Sequence, residues 1–329
     1  MQYDFVSFGD ITIDAFIRLK DAEVHCDINN ESCQLCMKFG QKIPFESVEE
    51  VFAVGNGPNA AVSALRLGLN STLVANVGHD RNGEDCIETL KKEGMNPEFI
   101  RTHDGIKTNY HYVLQFGPER TILVKHEEYP YALPHFSEPP KWFYLTSLPV
   151  STLQYQLDIA HYAKEHRVKL AFQPGTFQMQ LGTEKLKEVY EATDVFFCNK
   201  EEAQQILKNN SSDLKVLLAG VRALGPKIPV ITDGINGSYL LDESGDAYHV
   251  PMYPDPAPPV SRTGAGDAAA STTIAYMIKG LSPTEAMMRG LINSASVVQQ
   301  VGAQKGLLSA DSVEAWYAKR PPEFVATKI

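Results

Sequence analysis

The sequence predicts an α/β protein with a mostly parallel central sheet flanked by helices, and three observations predict it. Short β-rich runs alternate with stretches at helical spacing along most of the chain. Two glycine-rich turns follow strand-like runs and open helices. The 329 residues are 43% hydrophobic and 21% charged, enough to bury a sizeable core.

In chain order, residues 5–8, 72–77, 142–146, 169–172, 195–198 and 230–232 are strand-like, and 59–69, 153–165, 201–207 and 266–278 are helical in spacing. Strands separated by helices give a parallel sheet covered on both faces. Two stretches break the alternation. Residues 104–128 read as a β-hairpin, with 109–116 and 121–125 around the turn residues Gly117 and Pro118. Residues 12–50 are polar and cysteine-bearing, between the first strand and the first glycine-rich turn. Both are expected to project as a lid from a single domain spanning 1–329.

Forty acidic against 30 basic residues give a net charge of −10, a surface that repels nucleic acid and acidic lipid while leaving room for a local basic pocket. Neither a nucleic-acid nor a membrane partner is expected. The longest apolar stretches fall far short of the ~20 residues of a membrane span. The opening MQYDFVSFGD has no basic region ahead of its strand-like pattern, so no cleaved signal peptide is expected and the expected location is cytoplasmic. The five cysteines are an odd set, too sparse for a disulfide framework.

Thr263-Gly264-Ala265-Gly266-Asp267 reads as a glycine-rich turn opening a helix capped by Thr263. Free backbone N–H groups at such a helix start attract anions, and a carboxylate beside them suits a base acting on a hydroxyl. An ordinary capped helix with an acidic first turn fits the same letters. Gly55-Asn56-Gly57-Pro58-Asn59-Ala60 matches G-x-G-x-x-A, with Asp80 about 20 residues on, as dinucleotide binding requires. Sugar binding through Asn56 and Asn59 and a plain tight turn are equally compatible with it.

Asn199 and Glu202 follow a strand end and share a helix face, where they would hold water around Mg²⁺ or simply cap the helix. Thr232, Gly234 and Gly237 lie in a turn between two strands, either a nucleotide contact or a hairpin turn. Asp14 could accept bonds from sugar hydroxyls or sit in a solvated loop. His25 and the C-x₂-C pair Cys33 and Cys36, with Cys26 close by, could form a zinc or redox site, or the cysteines could be small hydrophobes on a lid strand.

Taken in order, these pieces resemble the ribokinase-like PfkB family of carbohydrate and nucleoside kinases. The N-terminal signature looks like residues 55–68 continuing into 75–80 and Gly83, and the C-terminal one like 263–267. The resemblance implies a ribokinase-like three-layer fold with a small β-lid, and an ATP- and Mg²⁺-dependent phosphotransferase. It makes Asp267 the base and the N–H groups of Gly264, Ala265 and Gly266 the anion hole. Asp14, Gly55, Asn56, Gly57 and Asn59 would hold the acceptor, Glu202 would organise Mg²⁺ through water, and Asn199, Thr232, Gly234, Gly237 and Asn293 would line the ATP site. Positioning and electrostatics should then supply most of the rate.

Four departures from the family pattern stand out. Val54 takes the place of a usual glycine, and Gln173-Pro174-Gly175 that of an acidic or amide pair. Ser261 replaces a common aspartate and Arg262 a small residue. That aspartate helps bind a monovalent cation in ribokinase-like members, so potassium activation does not carry over to this chain. Arg262 is expected to supply a fixed positive charge instead.

A small sugar is the expected acceptor and a nucleoside the nearest rival. Phe16, Tyr110, Tyr112 and Phe116 could stack on a base, but packing the hairpin is the expectation. An NAD-dependent oxidoreductase and a non-catalytic sugar sensor are the rivals from other classes. Exposed lid edges leave room for a homodimer through the lid.

Overall fold

The computed structural model describes residues 2–26, 33–117 and 119–329. Ten strands form one sheet in the order Thr327–Lys328, Ala247–Val250, Ser238–Leu241, Ile228–Thr232, Val195–Asn199, Lys169–Phe172, Trp142–Leu145, Phe5–Phe8, Ser71–Gly78 and Ile100–His103. From Ile228–Thr232 to Ile100–His103 every neighbouring pair is parallel, and the three strands at the other end add antiparallel. The runs expected at 5–8 and 169–172 are observed at those bounds. The helix expected from Asn59 starts earlier, at Asn56, because Gly55 turns the chain into it.

Side chains alternate across each strand, so the central strands feed two cores. Phe5, Tyr144, Ala171, Phe197 and Val230 pack under the helices Asn56–Arg66, Ala265–Ile278 and Pro283–Val297. Val6, Phe143, Leu170, Phe196 and Ile231 pack on the other face under Leu153–His166, Lys187–Ala192 and Leu214–Ala223. Each fully buried large apolar side chain contributes roughly 1.5–3 kcal/mol, so both helix layers are firmly held. Helix Ala265–Ile278 is apolar almost all round and buried from Asp267 to Tyr276, which makes it a core helix.

Phe45–Val54, Thr12–Leu19, Asn109–Phe116 and Glu119–Leu123 form a separate four-stranded sheet in that order, built from the two segments that break the alternation. This is the small lid sheet. The expected turn residue Pro118 lies outside the described residues. A third apolar cluster, with Ile11, Ile13, Ala53, Val62, Leu73, Val77 and Leu90, seats the base of the lid on the main body.

The zinc expectation at Cys26, Cys33 and Cys36 is corrected. Cys26 and Cys33 stand opposite each other in the hairpin Glu23–Cys26 with Cys33–Cys36 and are joined by a disulfide. Sulfurs bonded to each other are not the thiolates a zinc site uses. Cys36 is a free thiol, and His25 faces Glu23 instead. Among the described residues no group of three or more His, Cys, Asp or Glu side chains is placed to hold a metal, and no helix is long and apolar enough to cross a membrane.

Candidate active site

The C-terminal ends of the parallel strands open into a cavity of about 500 Å³ roofed by the lid, where parallel sheets characteristically place ligands. A second cavity of about 140 Å³ adjoins it, and Thr232, Arg262, Gly266 and Ala269 line both. The start of helix Ala265–Ile278 stands at this junction. Gly264 lies just ahead of it with φ 82°, and a Cβ there would sit 2.3 Å from that of Ala303, so only glycine fits the turn. Thr263 is not the cap: Gly264 holds that position, while the Ser261 hydroxyl bonds Thr263 at 3.1 Å.

Three amides grip Asp267 in the helix's first turn. Asn56 donates to Oδ1 at 2.8 Å, Asn59 to Oδ2 at 2.8 Å and Gln173 to Oδ1 at 3.4 Å. Tyr144 in turn donates its hydroxyl to Gln173 Oε1. Burial pushes the Asp267 carboxyl above its ordinary value, while these amide bonds favour its ionised form. Burial makes this carboxylate a stronger base than an exposed one, and the amide bonds oppose part of that rise.

Asn56 and Asn59 line the cavity, but their amides serve the carboxylate. The Asn59 carbonyl also accepts from Gln304 at 3.1 Å. Gly55 and Asp14 line the cavity as expected, and Asp14 Oδ1 is buried without a hydrogen-bond partner. Gly57 is corrected: it does not line the cavity, and a Cβ on it would come 2.8 Å from Gly9 Cα, so it serves a close backbone approach. Asn293 is likewise corrected. It is fully buried, donates to Thr272 Oγ1 at 2.7 Å and accepts from the Leu308 N–H at 2.9 Å, which spends it on joining elements of the core.

Three of the five predicted nucleotide residues converge. Thr232, Gly234, Gly237 and Ala265 line the smaller cavity beside Met252, Tyr253 and Leu291, an apolar slot edged with polar groups. Asn199 and Glu202 line the larger one and also form the reciprocal cap: Asn199 accepts from the Glu202 N–H, and Glu202 from the Asn199 N–H, both at 2.8 Å. Burial first, then the charges of Glu201 and Asp267, raise the Glu202 carboxyl against the bond from the Asn199 N–H.

The cavity also gathers polar residues given no role from the sequence. Asp10 is 6% exposed, accepts from the Tyr131 hydroxyl at 2.7 Å and lies 3.2 Å from His126 Nδ1. His111 faces Asp14 at 3.4 Å, Arg120 stands on the lid wall, and Gln173 follows the strand Lys169–Phe172. The period-two pattern of the lid strands was the available signal for His111 and Arg120. Of the aromatics considered for base stacking, neither Phe16, Tyr110, Tyr112 nor Phe116 lines the cavity. The dinucleotide reading loses its acid, because the Asp80 carboxylate accepts from Gly83 N, Thr108 N and Thr108 Oγ1.

The family model described as pfkB family carbohydrate kinase matches residues 22–310. The chain belongs to that family. This kinase, a phosphotransferase, is 27% identical to the ribokinase of Mus musculus over 267 residues, covering 76% of this chain and 79% of the relative. Its fold matches the nucleoside kinase of Methanocaldococcus jannaschii with TM-score 0.80 at 18% identity, covering 97% of the kinase and 99% of that chain. It matches the Arabidopsis thaliana ribokinase complexed with ribose and ATP with TM-score 0.79 at 19% identity, covering 96% and 98%. The kinase therefore has the ribokinase fold, with a large mostly parallel sheet, flanking helices and a separate lid sheet.

Proposed function

We propose that the chain acts as one ATP-dependent kinase domain, transferring the γ-phosphoryl group to a hydroxyl of a small sugar. The observation that carries this is the position of Asp267: its neighbour Gly266 lines both cavities, so the base stands where an acceptor and a nucleotide meet. Asp267 takes the acceptor's hydroxyl proton on its carboxylate. The N–H groups of Gly264, Ala265 and Gly266 at the helix start stabilise charge on the transferring group, and one such donor lowers the barrier by about 3 kcal/mol. Asp14, whose Oδ1 makes no hydrogen bond though it faces His111 at 3.4 Å, orients acceptor hydroxyls.

The donor set fits Mg²⁺ held mostly by phosphate and water. Glu202 offers hard carboxylate oxygens, one of them committed to the Asn199 N–H, and no all-protein cage surrounds it among the described residues. When bound with ATP, the ion supplies charge neutralisation. A sugar is favoured over a nucleoside because the lid's aromatics offer no platform for a base. The relatives named ribokinase support the same reading, and the nucleoside-kinase fold match keeps nucleosides in the test.

A second copy of the chain is the proposed partner at the outer face of the lid. Tyr112 and Leu123 stand opposite each other there, 48% and 53% exposed, with Val48 at 52% on the same face.

The test is ADP release from Mg-ATP with pentoses, hexoses, sugar acids, sugar phosphates and nucleosides. Turnover with a sugar class supports the reading. Turnover with nucleosides alone moves the acceptor to that class, and sugar binding without any turnover supports a sensor.

A further inference from the structure

We propose that the lid end of the cavity receives an anionic group of the acceptor, a phosphate ester or a carboxylate, and that Arg120 selects it. This rests on the kinase reading above and deepens it. Arg120 and Ile122 alternate onto the cavity side of the strand Glu119–Leu123, on the wall that carries Asp14 and His111. Thr121 and Leu123 lie on the opposite, exposed face, so the alternation commits Arg120 to the interior.

The two histidines on the cavity wall at this end each face a carboxylate. His111 faces Asp14 at 3.4 Å and His126 faces Asp10 at 3.2 Å. Among the described residues no carboxylate pairs with Arg120, and its Nε, like Nε2 of His111, is buried with no hydrogen-bond partner. At its level of the sheet the four strands present Ser47, Arg18, Gln115 and Arg120, two positive charges and no negative one. A guanidinium has five donors in a planar fork that matches carboxylate or phosphate oxygens in pairs. An inward donor left unpaired on the wall of a cavity is explained by a ligand that supplies the acceptor atoms.

The rest of this end is acidic. Asp10, Asp14 and Asp267 all line the cavity, so an anionic acceptor would be repelled without a compensating cation. A neutral sugar needs no such cation. The nucleotide end has its own arginine, Arg262, which lines both cavities, whereas Arg120 lines only the larger one.

The experiment compares a pentose and a hexose with their phosphate esters and their sugar acids, using wild type, Arg120→Met and Arg120→Lys. Turnover is read by ADP release, and binding of each compound without ATP by calorimetry. Wild type is expected to prefer one anionic series over the neutral parents. Arg120→Met is expected to lower kcat/KM for that series about 10- to 100-fold, chiefly through KM, leaving the ATP KM and neutral sugars unchanged. Arg120→Lys should restore part of the loss. Preference for the esters assigns a phosphate, and preference for the acids assigns a carboxylate. A neutral sugar turned over best, with Arg120→Met indifferent, overturns the inference and leaves the kinase standing. Arg120-dependent binding of an anion with no turnover by any acceptor does the reverse. A loss confined to the ATP KM also overturns it, and equal thermal melting of the variants excludes misfolding as the cause.

Discussion

Asn59 donates its side-chain amide to Oδ2 of Asp267 at 2.8 Å across 208 positions of sequence. The first glycine-rich turn thereby holds the carboxylate delivered by the second. Asn59→Ala would leave that oxygen buried and less satisfied, raising the Asp267 carboxyl further above its ordinary value. The acid limb of kcat/KM should shift to higher pH and kcat should fall about tenfold or more. An unchanged pH profile would reduce Asn59 to a packing residue.

Asp267→Asn should lower kcat by at least ~10²-fold, measured as ADP release with the preferred acceptor. Stability should move the other way. The raised Asp267 pKa means that its ionisation weakens the fold as pH rises from about 3.9, the unfolded carboxylate value, through the folded one. Asparagine has no such ionisation. The melting temperature of Asp267→Asn minus that of wild type should therefore grow between pH 3.5 and 7, and a constant difference would refute the burial account.

Gly264→Ala places a methyl 2.3 Å from Ala303 Cβ at a backbone of φ 82°. Strain and overpacking together should destabilise by about 1–3 kcal/mol, read from the denaturant midpoint. The KM for ATP should rise as well, because the helix start is displaced. Full stability together with full ATP affinity would show that the turn has a freedom the geometry denies.

Arg262 lines both cavities while the neighbouring Ser261 hydroxyl is bonded to Thr263. A fixed guanidinium in place of a bound cation predicts equal rates in potassium and sodium. Arg262→Ala should lower kcat about tenfold or more. Rates that climb steeply with potassium, together with an indifferent Arg262→Ala, would return the role to a monovalent cation.

The apolar outer face of the lid predicts a dimer, which sedimentation should detect at micromolar concentration. Leu123→Lys, at the edge strand beside Tyr112, should shift the population to monomer. A wild-type monomer at all accessible concentrations would remove the second copy as the occupant of this face.

Much of this was legible in local pattern. The alternating runs gave the parallel sheet, and 263–267 gave a helix start with a carboxylate in its first turn. The lid followed from the two segments that break the alternation. Periodicity says nothing about which distant side chains will share an atom, so the grip of Asn56, Asn59 and Gln173 on Asp267, over 211, 208 and 94 positions, was not visible. Gly57 and Asn293 fit a binding motif by their letters, yet backbone contact with Gly9 and bonds to Thr272 and Leu308 consume them. Cys26 and Cys33 resembled ligands because their spacing does not reveal that they face each other across a hairpin.

Helix Ala265–Ile278 is buried from Asp267 to Tyr276, whereas the lid depends on pairing Thr12–Leu19 with Asn109–Phe116 and leaves much of its outer face in solvent. The two walls of the cavity therefore differ in the free energy needed to open them. Amides of the core helix should exchange with solvent only when the whole molecule unfolds, while those of the lid exchange through cheaper local excursions. The proposed base is thus referenced to the global stability of the protein. A core substitution far from the cavity that softens this helix should register as lost turnover before any loss of acceptor binding.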